Sequence, residues 1–134
     1  MDALYQEQIL AFARAARAQP PVATPDHQAT ISNPTCGDRV EISFVMDGTR
    51  ITSAGAAVRG CALCEAGTGL LLALAPQKTA TDITAARDSF ADWLAGDEAA
   101  PIDSRMQKFM PVRDIRNRHK CVLLSFEAAI EALA

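Results

Sequence analysis

Hydrophobic residues recur along the chain with two periods, one typical of helices and one typical of strands. Residues 2–18 place apolar side chains at three- and four-residue steps, which predicts an amphipathic helix. Residues 39–46 and 50–58 alternate between apolar and polar positions, and the Asp47-Gly48 pair between them favours a tight turn. These two segments are therefore predicted to form an antiparallel hairpin.

The rest of the chain is predicted to be mostly helical. Three segments have the length and apolar content of helices: residues 61–75, 81–96 and 121–134. Gly67 and Gly69 lie inside the first of them, and glycines within a helix are typical of close packing against another element. Ahead of the last helix, residues 105–110 predict a short helix and residues 111–118 predict an extended link.

The order of these elements predicts the fold class. A helix, then strands, then further helices is typical of an α+β fold, with a small antiparallel sheet of about three strands and helices packed on one face. Residues 30–33 are the candidate for the third strand. A chain of 134 residues is long enough to bury its own core, so residues 1–134 are expected to form a single domain. The prolines in residues 19–28 predict a mobile loop there.

Composition and charge argue against two classes of partner. The net charge of -3 leaves no basic excess to neutralise phosphates, so no nucleic-acid partner is expected. In the one basic segment, residues 113–120, a solvated loop is favoured over a docking surface. No apolar run is long enough to span a bilayer, and residues 1–8 lack the features of a signal peptide. We therefore expect a cytoplasmic protein without a membrane partner.

The cysteines are the candidate chemistry, because cytoplasmic cysteines are more often metal ligands or reactive groups than disulfides. Cys36 lies in a loop before the hairpin, whereas Cys61 and Cys121 lie at helix starts, where the helix dipole favours the thiolate. Asp38 adds a carboxylate two residues from Cys36, and Gly37 between them allows a tight backbone. A site with these three sulfurs and one oxygen would suit tetrahedral Zn²⁺.

Spacing alone leaves other interpretations open. The thiols could equally be inert and half-buried. Cys61 and Cys64 form a C-x-x-C at a helix start, as in a thiol–disulfide oxidoreductase, although the preceding strand belongs to an antiparallel hairpin. Cys64 could instead be a small core residue or a spare thiol near the site. His119 is either a surface residue or close enough to Cys121 to bind the metal or tune the thiolate, and His27 is expected to be solvated.

Three sequence motifs resemble those of the U-type iron–sulfur cluster scaffold family, the IscU/NifU-N/SufU group, and they occur in the order typical of that family. The resemblance extends over nearly the whole chain. The motifs are NPTCGDRVEI at residues 33–42, GCALCEAGTG at residues 60–69 and RHKCVLLSFEAAIEAL at residues 118–133. Within that family, the long stretch between Cys61 and Cys121, which holds residues 99–114, is similar to the SufU branch. The order His119-Lys120-Cys121 is similar to that branch as well.

The resemblance implies a site and a function. SufU-like proteins bind zinc through three cysteines and an aspartate, and the matching residues here are Cys36, Asp38, Cys61 and Cys121. SufU-like proteins accept persulfide sulfur from a PLP-dependent, SufS-like cysteine desulfurase, and they pass it to downstream iron–sulfur assembly or acceptor proteins. Such a chain is a sulfur-transfer accessory or scaffold rather than a free-standing enzyme.

The position of each cysteine suggests which one accepts the sulfur. Cys36 is the expected acceptor because it lies on a loop beside Gly37, and Cys121 is the second choice. The alternative function is a scaffold that assembles and transfers a [2Fe–2S] cluster held by Cys36, Cys61 and Cys121, since thiolates suit both cofactors.

The chain also departs from the family pattern. Cys64 stands where the family usually has serine, and Phe12-Ala13 stand where it usually has a His-Tyr pair. The loop after the first helix differs as well. Because those family residues belong to the partner-facing end, the partner contact is expected to differ here.

Overall fold

The computed structural model of the chain describes residues 2–134. Its elements are α1 (Ala3–Arg17), β1 (His27–Asn33), β2 (Asp38–Asp47), β3 (Arg50–Arg59), α2 (Ala62–Leu74), α3 (Ala80–Leu94), two 3-10 helices (Ser104–Asp114 and Arg116–Arg118) and α4 (His119–Leu133). This order confirms the predicted α+β fold. Within residues 2–134, no helix combines the length and the apolar character that crossing a membrane requires.

The three strands form one antiparallel sheet in the order β1-β2-β3. Alternate side chains of a strand point to opposite faces, and Val40, Ile42 and Phe44 on one face of β2 are fully buried. On this face α4 packs against β1 and β2, while α2 packs against β3. The predicted hairpin is therefore confirmed, and β1 extends it to the expected three strands.

The segment between α1 and β1 lies against the other face of the sheet. Ser43 points to that face and is buried, and its hydroxyl accepts a hydrogen bond from the backbone N–H of Val22 at 3.0 Å. A Cβ on Gly55, the residue paired with Ser43, would collide with the carbonyl oxygen of Pro20. Because β1 already begins at His27, the predicted 19–28 loop boundary is wrong by two residues.

Helix α2 lies at the centre of the helical layer, and two of its glycines explain how closely it packs. A Cβ on Gly67 would collide with the backbone oxygen of Val122 in α4. A Cβ on Gly69 would collide in the same way with the backbone oxygen of Phe12 in α1. The expectation that these glycines mark close packing is therefore confirmed.

The segment before α4 differs from the prediction. Residues 111–114 and 116–118 form 3-10 helix instead of an extended link, and Ile115 separates the two helices. Three buried side chains, Met106, Phe109 and Val112, recur every three residues, which is the period of a 3-10 helix. Burial of this stripe holds the segment against the core, and the φ angle fixed by proline is compatible with that conformation at Pro111.

Candidate metal centre

Three of the predicted ligands converge where the first hairpin turn meets the start of α4. Cys36 lies in the turn between β1 and β2, Asp38 is the first residue of β2, and Cys121 lies in the first turn of α4. The ligand atoms of these three residues all lie within 4.8 Å of one another. The Sγ atoms of Cys36 and Cys121 are 3.7 Å apart, although the residues are 85 positions apart in sequence.

The sequence of the turn explains how Cys36 is presented. The backbone N–H of Gly37 donates to the carbonyl oxygen of Asn33 at 2.8 Å, and Gly37 has a φ of 76°, in the left-handed region that favours glycine. The side-chain oxygen of Asn33 accepts a second hydrogen bond from the N–H of Thr35 at 3.1 Å. Cys36 is therefore held at an exposed turn within a β-hairpin, rather than in a loop ahead of one.

Cys61 contacts the site through Asp38. It is the N-cap residue of α2 and is half-buried. Its backbone N–H donates to Oδ1 of Asp38 at 3.2 Å, and its Sγ lies 3.9 Å from Oδ2. The structure therefore brings three of the four predicted ligands within 4.8 Å of one another. It places the fourth, Cys61, beside the carboxylate of Asp38.

Asp38 is a buried carboxylate, 3% exposed. Burial, the largest single contribution, would raise the pKa of this carboxyl group, and hydrogen bonds from the thiols of Cys36 and Cys121 oppose it. The N–H of Cys61 and the positive charge of Arg118 lower the pKa further. The net shift is downward, so Asp38 is a ready anionic ligand at neutral pH.

The thiol of Cys121 has the opposite tendency. Burial, followed by its contacts with Asp38 and Cys36, raises the pKa of Cys121 to about 12, against the lowering effect of Arg118. In the metal-free protein this thiol is therefore protonated at neutral pH. A cation is what would favour its ionisation, since a metal ligand must be the thiolate.

Arg118 is a neighbour of the site that the sequence did not single out. It belongs to the basic segment expected to be solvated, and it is the N-cap residue of α4. A hydrogen bond with Cys121, followed by the charge interactions with Cys61 and Cys121, raises the pKa of its guanidinium group. Its position three residues before Cys121, about one helical turn, was the available signal.

The other candidate residues of the sequence analysis lie outside the group of predicted ligands. Cys64 is fully buried in the core, and burial first, then the charge of Asp38, raises the pKa of its thiol well above the usual value. Such a thiol is poorly suited to act as an attacking thiolate. The ring of His119 lies with Nε2 2.8 Å from the carbonyl oxygen of Val112. His27 is exposed at the start of β1.

The donor set fits a thiophilic metal. With Zn–S bonds of about 2.3 Å, a tetrahedral zinc site separates two sulfurs by about 3.8 Å, and the two sulfurs of Cys36 and Cys121 are 3.7 Å apart. The carboxylate oxygen of Asp38 adds a second type of donor atom, which zinc also accepts. The same thiols fit an iron–sulfur cluster, because thiolates ligate both cofactors.

Several solved structures are similar to the chain, and three of them indicate how closely they match. The N-terminal part of a nitrogen-fixing NifU-like protein from Brucella abortus is 31% identical with a TM-score of 0.85, covering 96% of this chain and 91% of that one. A protein described as an iron–sulfur cluster assembly scaffold for the SUF system of the thermophilic Fervidobacterium islandicum AW-1 is 23% identical with a TM-score of 0.88, covering 98% and 97%. A third, a hypothetical protein, is 22% identical with a TM-score of 0.83, covering 99% and 98%.

The last two similarities show the fold alone, and the first goes further. No protein-family model and no curated protein matches the chain. The NifU-like domain, however, shares nearly a third of its residues with this chain over almost its full length. Together with the three cysteine motifs and their convergence, this similarity shows that the chain belongs to the U-type iron–sulfur cluster scaffold family.

Proposed function

We propose that this chain takes part in iron–sulfur cluster assembly as a zinc-bound sulfur acceptor of the SufU type. The observation that carries the proposal is the convergence of Cys36, Asp38 and Cys121 within 4.8 Å. The description of one structural neighbour as a protein of a SUF system supports the SufU type. The segment at residues 99–114, which resembles the SufU branch, contains the whole of the first 3-10 helix. We propose that residues 1–134 act as a single domain in the cytoplasm.

The proposed ligands of Zn²⁺ are Cys36, Asp38, Cys61 and Cys121. When bound, zinc would hold the cysteines as thiolates at neutral pH. The chain itself supplies the rest of the arrangement, because the hairpin turn and the starts of α2 and α4 bring the donors together.

Cys36 is the proposed acceptor because it is the accessible thiol. It is exposed on the hairpin turn, whereas Cys121 is 1% exposed and lies within a helix. Cys61 is half-buried, and its backbone is tied to Asp38. A protein that delivers sulfur can therefore reach Cys36 more easily than either of the others.

Sulfur transfer requires a donor that carries a persulfide, and we propose a PLP-dependent, SufS-like cysteine desulfurase. The thiolate of Cys36 attacks the outer sulfur of the persulfide, and a bond forms between Sγ and that sulfur. The sulfur–sulfur bond of the donor breaks, and the desulfurase cysteine leaves as a thiolate. The sulfane sulfur is then a persulfide on Cys36, with no net change in oxidation state. Downstream assembly or acceptor proteins would receive it.

A desulfurase assay tests this proposal. Zinc-loaded chain added to a SufS-like desulfurase and cysteine should increase the rate of alanine formation, and mass spectrometry should find one added sulfur on the peptide that contains Cys36. Cys36→Ser should lose both effects, whereas Cys64→Ala is the matched control that keeps them. A zinc-loaded wild-type chain that neither stimulates the desulfurase nor carries a persulfide would contradict the proposal.

A second candidate function is a scaffold for a [2Fe–2S] cluster held by Cys36, Cys61 and Cys121. The description of the Fervidobacterium neighbour as a scaffold favours it. Anaerobic addition of iron and sulfide should then give a brown protein with visible absorption, and zinc should compete with that reconstitution. An independent oxidoreductase that uses Cys61 and Cys64 is disfavoured by the complete burial of Cys64.

A further inference from the structure

Gly60 lies against the carboxylate of Asp38. It follows the last residue of β3 and precedes Cys61, one step beyond the paired residues Arg39 and Arg59. A Cβ on Gly60 would lie 2.5 Å from Oδ1 of Asp38 and 2.9 Å from its Cγ. Both distances are well below the separation of about 3.5 Å at which non-bonded heavy atoms normally pack. The carboxylate therefore occupies the space that a side chain at position 60 would fill.

The two oxygens of Asp38 have different surroundings in that space. Oδ1 accepts the hydrogen bond from the backbone N–H of Cys61 at 3.2 Å. Oδ2 lies 3.9 Å from the Sγ of Cys61. The backbone thus holds one oxygen, and the other is left to face the thiols.

Space alone, and not backbone conformation, explains the glycine at this position. The glycines with φ in the left-handed region are Gly37, Gly48 and Gly96, and Gly60 is not among them. Alanine can therefore adopt the backbone conformation of Gly60 without strain, and the added methyl group would meet Asp38 first. Gly60→Ala is consequently a specific probe of the carboxylate.

We infer that Gly60 is a positioning residue that holds Asp38 in the metal site by leaving room for its carboxylate. The inference rests on the proposed metal-binding function. Any side chain at position 60 turns Asp38 away from the thiols and breaks its hydrogen bond with the N–H of Cys61. The donor set then changes from three sulfurs and one oxygen to three sulfurs.

A double-mutant cycle on the zinc-loaded protein tests this inference. Zinc release to a chromophoric chelator is measured for the wild type, Gly60→Ala, Asp38→Ala and the double variant. Loss of a ligand should speed release about tenfold in either single variant. The double variant should release zinc no faster than Asp38→Ala, because the two changes remove the same interaction. The Cβ of residue 38 would remain 3.2 Å from the new methyl group, which a small shift relieves.

A matched control separates this effect from general destabilisation. Gly48→Ala also adds one methyl group, but it lies in the turn between β2 and β3 with nothing within 4 Å of the added atom. Its positive φ makes it destabilising, yet zinc release should match that of the wild type. In the Co²⁺-substituted Gly60→Ala variant, thiolate charge-transfer bands should persist, because the three cysteines still bind.

A metal-free measurement keeps the inference testable if no zinc binds. The amide resonance of Cys61 should shift in the same direction in Gly60→Ala and Asp38→Ala, because both lose the hydrogen bond to Oδ1. Zinc release from Gly60→Ala at the wild-type rate would overturn the inference. So would an equal acceleration by Gly60→Ala in the Asp38→Ala background, or an unchanged Cys61 amide. If the double-mutant cycle gives the expected result but the chain does not accept sulfur, the proposed function alone is contradicted.

Discussion

Asp38 differs chemically from the three cysteines around it. It is a hard oxygen donor among soft sulfur donors, and such a mixed set binds a soft or borderline metal less firmly than sulfur alone. Its lowered pKa keeps it ionised at neutral pH, so it needs no proton transfer to bind. The residue is therefore suited to keep the site complete and still exchangeable.

Asp38→Cys is expected to retain zinc more firmly and to transfer sulfur more slowly. A fourth thiolate would give an all-sulfur tetrahedral site, from which Cys36 is released less readily. The measurements are zinc release to a chelator and desulfurase stimulation, with Asp38→Ala as the comparison that removes the donor. Faster zinc release from Asp38→Cys than from the wild type would contradict this role.

Cys64 is expected to be unreactive in the folded protein. Burial raises the pKa of its thiol, so the thiolate that alkylating reagents need is scarce at neutral pH. After zinc is removed by a chelator, iodoacetamide should modify the exposed Cys36 much faster than Cys64, as followed by peptide mass spectrometry. Comparable modification rates for Cys36 and Cys64, or a disulfide between Cys61 and Cys64, would support the oxidoreductase interpretation instead.

At the scale of secondary structure, the site depends on how closely α2 packs against α4. Gly67 lies under the backbone oxygen of Val122, the residue after Cys121, whereas Gly69 lies under that of Phe12 in α1. Both contacts involve backbone atoms, which cannot move aside by changing a rotamer. Glycine thus allows close packing both between α2 and α4 and between α2 and α1. Only the α2–α4 interface lies next to a proposed metal ligand, Cys121.

Gly67→Ala and Gly69→Ala are expected to destabilise the protein by about 1–3 kcal/mol each, because overpacking outweighs the gain in helix propensity. Gly67→Ala should also weaken zinc binding, since it displaces the start of α4. Gly69→Ala is the matched control and should leave zinc affinity unchanged. Thermal unfolding and a zinc-competition titration make the comparison; equal effects on zinc affinity would show that the α2–α4 contact does not position Cys121.

The sequence predicted the elements with strong periodicity and missed those that depend on tertiary contacts. The β2–β3 hairpin alternates clearly and carries the Asp47-Gly48 turn, so it was predicted within a residue or two. The outer strand β1 has no fully buried position, so its first residues showed no hydrophobic pattern. The 3-10 segment depends on burial of Met106, Phe109 and Val112, and a helix or a loop fits that pattern equally well.

The candidate site was predicted from residue types and from resemblance, because spacing does not give distances. Cys36 and Cys121 are 85 positions apart, and only the fold shows that their sulfurs lie 3.7 Å from each other. Arg118 was not distinguished from the other basic residues of the segment at residues 113–120. Gly60 entered only as the first residue of the motif at residues 60–69, because the contact that explains it is with a side chain 22 residues earlier.

At the scale of the whole molecule, the proposed zinc would join three separate parts of the chain: the β1–β2 turn, the start of α2 and the start of α4. A ligand that binds only the folded state stabilises it, by about 4 kcal/mol when its free concentration is a thousand times the dissociation constant. The metal-free protein must instead hold a buried carboxylate beside a protonated thiol. The stability of the two forms should therefore respond differently to pH.

The metal-free protein is expected to lose stability as the pH rises above about 8.5, the usual pKa of a cysteine thiol. The pKa of Cys121 is raised to about 12 in the folded state, so above pH 8.5 the unfolded chain releases a proton that the folded chain retains. Unfolding is then favoured by rising pH. In the zinc-loaded protein the thiol of Cys121 is already ionised, so its part of this loss should disappear, whereas the part due to the buried Cys64 is common to both forms. The gap between the two melting temperatures should therefore widen between pH 7 and pH 10. Thermal unfolding with and without zinc measures that gap, and Cys121→Ser removes the ionisable thiol as a control. A gap that narrows over this range would show that Cys121 does not bind the metal as a thiolate.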